Sequence, residues 1–366
     1  MLNKFYVHHY RCLQNFELDL NNISSALLLG RNGAGKSTVF AAFEIMQRIG
    51  RGETKVSDLL NREDFAFLDD SKPMLFEINA TLSELHYVYR LEIDLPPHFH
   101  TLTVRKESLS VDGKSFFVRE GGKTQLHGKA EFTLDWHHIG LPLISIRNDS
   151  DPIAVFRTWL SSILYLDPTP AQILPTSKEE SPYLQKHLVN LVDWIRYHLS
   201  LQPALYGKVE RYLREWMSDF DSFKLEVTGR EEREFLFTFK DQKAIELSLT
   251  KLADGEKTYL LTALLLAIIS SDRPMLCLWD EADQFIALPE LSYFITACRK
   301  AFEATNGQAQ LILTSHNARV MYEFSGHNCF VLSRSSHLQP TRLERMQDKT
   351  FLSPDPVQAY ENGELD

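Results

Sequence analysis

Residues Gly30–Thr38 read GRNGAGKST, and this stretch decides the fold. It fits G-x-x-x-x-G-K-[ST], the pattern of a loop that wraps a phosphate chain. SSALLLG before it reads as a buried strand, and VFAAFEIMQRI after it as a helix. The glycines let backbone N–H groups curl around a β-phosphate. Lys36 is placed to neutralise β and γ oxygens, and Ser37 to hold Mg²⁺. The helix start at Lys36 adds a positive dipole end.

Two further stretches answer to this loop. In MLCLWDEAD an apolar run ends at Asp280-Glu281, as a strand does when it delivers carboxylates to its carboxyl end. Asp280 is the candidate for Mg²⁺, and Glu281 for orienting and deprotonating an attacking water. QLILTSH is another apolar strand, ending in Ser315-His316, where an imidazole can sense a γ-phosphate. Ahead of both, LADGEK (252–257) opens onto TYLLTALLLAII, a helix apolar on every side. Asp254 is expected to cap that helix, with Glu256 in its first turn. The same helix start presents unpaired N–H groups to an anion. Since the glycine-rich loop already forms one phosphate site, a second such start suggests a nucleotide shared by two copies of the chain.

The rest of the chain sets the frame. Its 366 residues suggest two or three lobes at about 150 residues each. A hydrophobic content of 44% supplies a core, and a net charge of −10 does not advertise nucleic-acid binding. Cys12, Cys277, Cys298 and Cys329 are scattered with no C-x-x-C pair, which fits reduced core thiols. MLNKFYVHHYR is polar and strand-like rather than a signal peptide, and the apolar run Tyr259–Ile269 is shorter than the roughly 20 residues a bilayer needs. A cytoplasmic protein without membrane contact is expected.

Residues 1–70 carry the first strands and the phosphate loop. Residues 71–165 turn β-rich, with a hairpin signal at Asp112-Gly113, and read as an inserted antiparallel lobe. Residues 166–235 read as a helical subdomain. Leu184, Leu188, Leu191, Ile195 and Leu199 are spaced for one helix, and Leu205, Val209, Leu213 and Trp216 for a second. Neither is long enough for an extended coiled coil. Residues 236–345 return to alternating strands and helices, so the core sheet is expected to be mostly parallel. Residues 346–366 read as a loosely held acidic tail.

This order of motifs resembles the ATP-binding-cassette ATPases, and more narrowly the soluble SMC/RecF-like branch, which includes compact ATPases of Septu, retron-associated and OLD-type anti-phage modules. GRNGAGKST looks like Walker A, MLCLWDEAD like Walker B, LADGEK like the signature motif and LTSHN like the His switch. YVHHYRCLQNFELDL is similar to the start of RecF-like proteins, and HYVYRLEID with SLSVDGKSFFVREGG to their β-lobe. The resemblance implies an α/β ABC-ATPase head: a mostly parallel P-loop sheet, an inserted antiparallel β-lobe and a helical subdomain. It implies ATP held by Gly30, Arg31, Asn32, Gly33, Ala34, Gly35, Lys36, Ser37 and Thr38, with Mg²⁺ on Ser37 and Asp280. Glu281 and His316 would be catalytic. Ala253, Asp254, Gly255 and Glu256 would reach the nucleotide of a second head in a homodimer or a larger oligomer built from it, and Asp283 would lie in the loop crossing the seam.

The chain departs from that family at two signature positions. Ala253 stands where Ser is usual, and Asp254 where a small neutral residue is usual. Both point to slow hydrolysis or an extra partner contact. Gln172 is a weak candidate for the Q-loop. His8-His9 and His137-His138 are adjacent pairs that point to opposite faces of a strand, which makes them poor metal ligands. No second catalytic constellation is evident, so any cutting of nucleic acid falls to a separate effector such as a nuclease. Arg105, Lys106, Lys114, Arg119, Lys123 and Lys129 against Glu107, Asp112 and Glu120 leave a basic excess that could follow a phosphate backbone, although a solvated hairpin face explains it as well. The reading that follows is a dimeric ATP switch in phage defence. A RecF-like repair ATPase, a slow nucleotide-binding scaffold and a transporter subunit are the alternatives.

Overall fold

The computed structural model describes residues 1–128, 130–146, 148–241, 243–269 and 274–365. The chain divides into two units. One comprises Met1–Ile163, Pro274–Leu278 and Gly307–Asp366, and the other Leu164–Arg273 and Trp279–Asn306.

The first unit holds two sheets. Its parallel core is built on Ser25–Leu29, every residue of which is buried. Ala309–Ser315, equally buried, pairs with it in parallel on one side, and Cys329–Ser333 pairs with it in parallel on the other. Continuous apolar runs of this kind belong to strands covered on both faces. Met275–Trp279 lies beyond Ala309–Ser315, and Arg342–Arg345 closes the other edge antiparallel to Cys329–Ser333. Gln310 ties this core to the first strand: its Oε1 accepts from Leu2 N at 2.5 Å, and its Nε2 donates to the Leu2 and Ile23 carbonyls at 3.0 Å.

The second sheet has eight strands, all antiparallel. Phe16–Asp19 and Leu2–His8 begin it, and Met74–Leu82, Leu85–Asp94, Thr103–Val111, Lys114–Glu120, Lys123–Leu126 and Ala130–Thr133 continue it in chain order. The β-rich stretch thus extends the N-terminal hairpin as one sheet. Alternation buries Tyr87, Tyr89, Leu91 and Ile93 on a single face. The Asp112-Gly113 signal is a tight hairpin turn with φ of 47° and 74°, positive at both positions. The helix Lys36–Gly50 packs against this sheet, with Phe43 stacked on Phe5 at 3.8 Å between ring centroids.

A buried polar node fastens Asp135–Leu141 to the lobe. The Glu107 carboxylate accepts from Tyr89 Oη at 2.9 Å, Gly140 N at 2.7 Å and Leu141 N at 2.8 Å. Arg119, equally buried, lies 3.8 Å from it and donates to the carbonyls of Gly121, His138 and Asp135. Burial pushes the Glu107 carboxyl up from its ordinary range, against the pull of those two N–H groups and Arg119. Removing the carboxylate strands a phenol and two amides without their acceptor. Glu107→Ala is therefore expected to cost about 3–5 kcal/mol in chemical unfolding. A loss under about 1 kcal/mol would mean the node is not closed in solution.

The tail differs from its sequence reading. Val357, Ala359 and Leu365 are buried, and the helix Pro356–Glu361 packs on the segment Ala318–Glu323. Lys349 Nζ donates to the Leu365 carbonyl at 2.6 Å. Three small or apolar side chains spaced along the acidic stretch are enough to dock it. All four cysteines are buried and none is in a disulfide, and burial pushes Cys298 and Cys329 up to about 12, which leaves those two inert thiols.

The second unit carries a small antiparallel sheet of Thr176–Ser177, Phe220–Val227, Arg233–Lys240 and Ala244–Ser248, with helices Leu191–Leu201, Leu205–Trp216, Asp254–Ile269 and Leu288–Glu303. The expected helix from Leu184 begins only at Leu191. His187 and Leu188 take φ of 58° and 57°, which no helix continues, yet Leu184 and Leu188 are still buried. Their spacing recorded burial rather than helix. Asp254–Ile269 is apolar all round because it is a buried helix. Among the described residues no helix is long and apolar enough to cross a membrane.

Candidate nucleotide site

The phosphate loop is shaped by close approach. A Cβ at Gly30 would come within 2.6 Å of the Leu332 carbonyl, so only glycine fits as the strand Ser25–Leu29 ends. Gly35, at φ 107°, is the N-cap of the helix Lys36–Gly50 and offers no capping side chain. The helix start thus presents its positive dipole end without a side-chain cap, the arrangement that suits a phosphate. Asn32 and Gly33 are exposed at the tip of the loop, and Ser37 is exposed at the first turn.

Lys36 is 5% exposed, and its ammonium is held by the loop itself. Nζ donates to the Gly30 carbonyl at 2.5 Å and to the Arg31 carbonyl at 3.3 Å, and it lies 3.0 Å from His316 Nδ1. An ammonium only donates, so Nδ1 accepts and the imidazole proton sits on Nε2. The meeting of residues 280 apart follows from register. Ser315 pairs with Leu29 in the parallel ladder, so His316 emerges beside Gly30 at the carboxyl ends of the strands. That end is where open α/β sheets bind ligands.

In the second unit, Asp280 and Glu281 follow the buried strand Met275–Trp279 directly. Asp280 N donates to the Leu166 carbonyl at 2.8 Å. Glu281 has φ 50°, a left-handed backbone that costs about 1–2 kcal/mol for a residue with a side chain and re-aims the chain at this point. Ser37 and Asp280, the expected Mg²⁺ ligands, belong to different units. Among the described residues no cluster of three His, Cys, Asp or Glu is arranged for a metal. Each side chain, one a hydroxyl and one a carboxylate, is of the oxygen-donor type that Mg²⁺ takes.

The signature stretch corrects the capping assignment. Ala253, not Asp254, precedes the helix, and its carbonyl accepts the first intrahelical bond from Lys257 N at 3.1 Å. Glu256 reaches back to Ala253 N at 2.6 Å. This is half of a capping box, and the missing half is the hydroxyl that Ser would supply. Asp254 turns to Lys257 Nζ at 3.4 Å, and Lys257 also donates to the Pro170 carbonyl at 3.2 Å. Ala253 and Asp254 are exposed, and a Cβ at Gly255 would lie 3.0 Å from the Phe285 carbonyl. Ala253→Ser should complete the box and add about 1 kcal/mol, read as a melting temperature higher by about 2 °C. An unchanged or lower midpoint would show that the box does not close. Gln172 is exposed in the short turn Pro170–Gln172.

The basic excess on the lobe is smaller than its count suggests, although Lys114 and Lys123 are exposed. Arg119 is buried on Glu107, Lys106 pairs with Glu120 at 3.1 Å, and Arg105 lies 4.0 Å from Glu92. Lys129 lies outside the described residues. Two residues behind the phosphate loop escaped the sequence reading. Thr341 Oγ1 donates to the Ala34 carbonyl at 2.8 Å, and Cys12 touches the same turn. No local pattern marks a partner more than 300 positions away.

A family model described as AAA ATPase domain matches residues 1–273. Among solved structures, the chain is similar to an Smc head bound to the C-terminal winged-helix domain of ScpA, with 12% identity, TM-score 0.55, and coverage of 94% of this chain and 97% of that one. It is also similar to the Smc head with an extended coiled coil bound to the C-terminal domain of ScpA derived from Pyrococcus furiosus, with 12% identity, TM-score 0.52, and coverage of 99% and 98%. A comparison with curated proteins finds no match. The sequence match over three-quarters of its length makes the chain a member of the AAA ATPase domain family, and its fold is that of an SMC-type, RecF-like ABC ATPase head.

Proposed function

We propose that the chain is an ATP-hydrolysing head that closes as a homodimer around two ATP–Mg²⁺ units, and that closure signals to a separate effector. Lys36 and the N–H groups of Gly33, Gly35 and Lys36 hold the phosphates. Ser37 and Asp280 would hold Mg²⁺, which would supply positive charge to the phosphates. Glu281 takes the proton of the attacking water, and His316, released from Lys36, reads the γ-phosphate. The observation that supports the dimer is the helix start at Ala253–Glu256, exposed at Ala253 and Asp254 ahead of a largely buried helix body. The leading N–H groups of a helix are the ones that can take a phosphate from a second copy.

The resemblance to compact anti-phage ATPases supports a place in defence, with a nuclease-like protein as the effector. Engagement of a partner protein is also in keeping with the two Smc heads, each bound to a domain of ScpA. Size measurement by light scattering tests the dimer. ATP with Mg²⁺ should double the mass of the wild-type chain, and ADP should not. A mass indifferent to nucleotide removes the shared site. Turnover should rise in Ala253→Ser, because the restored hydroxyl gives the partner's γ-phosphate another donor.

A further inference from the structure

We infer that Thr341 is a positioning residue for the phosphate loop, one that sets the direction of the Gly35 N–H. The inference rests on the nucleotide-site reading above. Thr341 is buried at the start of the edge strand Arg342–Arg345, and its own N–H donates to the Cys12 carbonyl at 2.9 Å. From that anchored position its hydroxyl donates to the Ala34 carbonyl at 2.8 Å. The Ala34–Gly35 peptide is trans, so its C=O and N–H point in opposite directions. Holding the carbonyl back toward Thr341 aims the Gly35 N–H out of the other side of the loop, the side on which the nucleotide-site reading puts a phosphate.

The contact leaves no slack. A Cβ at Gly35 would stand 2.5 Å from Thr341 Oγ1 and 3.1 Å from Cys12 Sγ. Gly35 at φ 107° is thus pressed against the Thr341–Cys12 bridge, and rotation of the peptide would break the bond to the hydroxyl. Without that bond the Ala34 carbonyl is a buried acceptor that gains by turning elsewhere, and the amide turns with it.

The test compares Thr341→Val, which keeps the volume and removes the donor, with Thr341→Ser, which keeps the donor. ATP affinity is read by isothermal titration beside the melting temperature of each full-length variant. Val should weaken ATP binding about tenfold, and Ser should restore it to within about twofold. A purely structural role would lower the melting temperature of Val and leave its ATP affinity intact. Val binding like wild type, or Ser binding as weakly as Val, overturns the inference. If Val does not fold, Thr341→Ala, which clears the loop, takes its place with the same expected loss, and wild-type affinity in Ala overturns the inference equally. Lys36→Ala in the same series separates the two layers. If it binds ATP normally, the nucleotide-site reading fails; if it loses ATP while Val keeps it, only the role of Thr341 fails.

Discussion

Lys36→Ala should lose ATP affinity by about 100-fold or more. The ammonium makes charge-assisted bonds to β and γ oxygens, each contributing about 1.5–3 kcal/mol. The same ammonium meets the Gly30 and Arg31 carbonyls and lies beside His316 Nδ1. Titration calorimetry on wild type and variant reads the difference. Undiminished affinity in the variant would remove Gly30–Thr38 as the site. His316→Ala removes one of these neighbours and should slow turnover more than it weakens binding.

Glu281→Gln should reduce the rate of ATP hydrolysis by about 100- to 10,000-fold, the range a positioned general base supplies. Gln has the same shape and still hydrogen-bonds a water, but it does not take the proton. Bound ATP should then persist and hold the two heads together. The variant is expected to elute as a stable larger species with ATP and Mg²⁺, where wild type returns to its smaller form as it hydrolyses. Glu281 has a left-handed backbone, φ 50°. A β-branched replacement would add strain there, so Gln is the informative change. A hydrolysis rate within a few fold of wild type would assign the base elsewhere.

The parts of the site that were legible in the sequence are those that are contiguous. A strand, a turn and a helix start appear in order around Gly30–Thr38, and each has its own local cause. His316 was legible through its place in the strand–helix series, and the parallel register of Ala309–Ser315 with Ser25–Leu29 brings it to Lys36. What escaped the sequence was set by partners distant in the chain. Thr341 reaches Ala34 only because an edge strand returns beside the loop. Arg119 reads as surface charge until the buried Glu107 beneath it is seen. Asp254 was misassigned as the cap by one position, because the back-reaching bond from Glu256 to Ala253 N fixes the helix start and sequence alone does not reveal it. The spacing of Leu184 and Leu188 marked burial, which a 3₁₀ turn can provide as well as a helix.

The central claim is that one ATP is held by two copies of the chain. A structure of Glu281→Gln with ATP and Mg²⁺ addresses it most directly. The account predicts the N–H groups of Gly255 and Glu256 from one copy within hydrogen-bonding distance of the γ-phosphate seated over the other copy's Lys36. A nucleotide on Lys36 with every Ala253–Glu256 turn in the assembly remote from it would contradict the account.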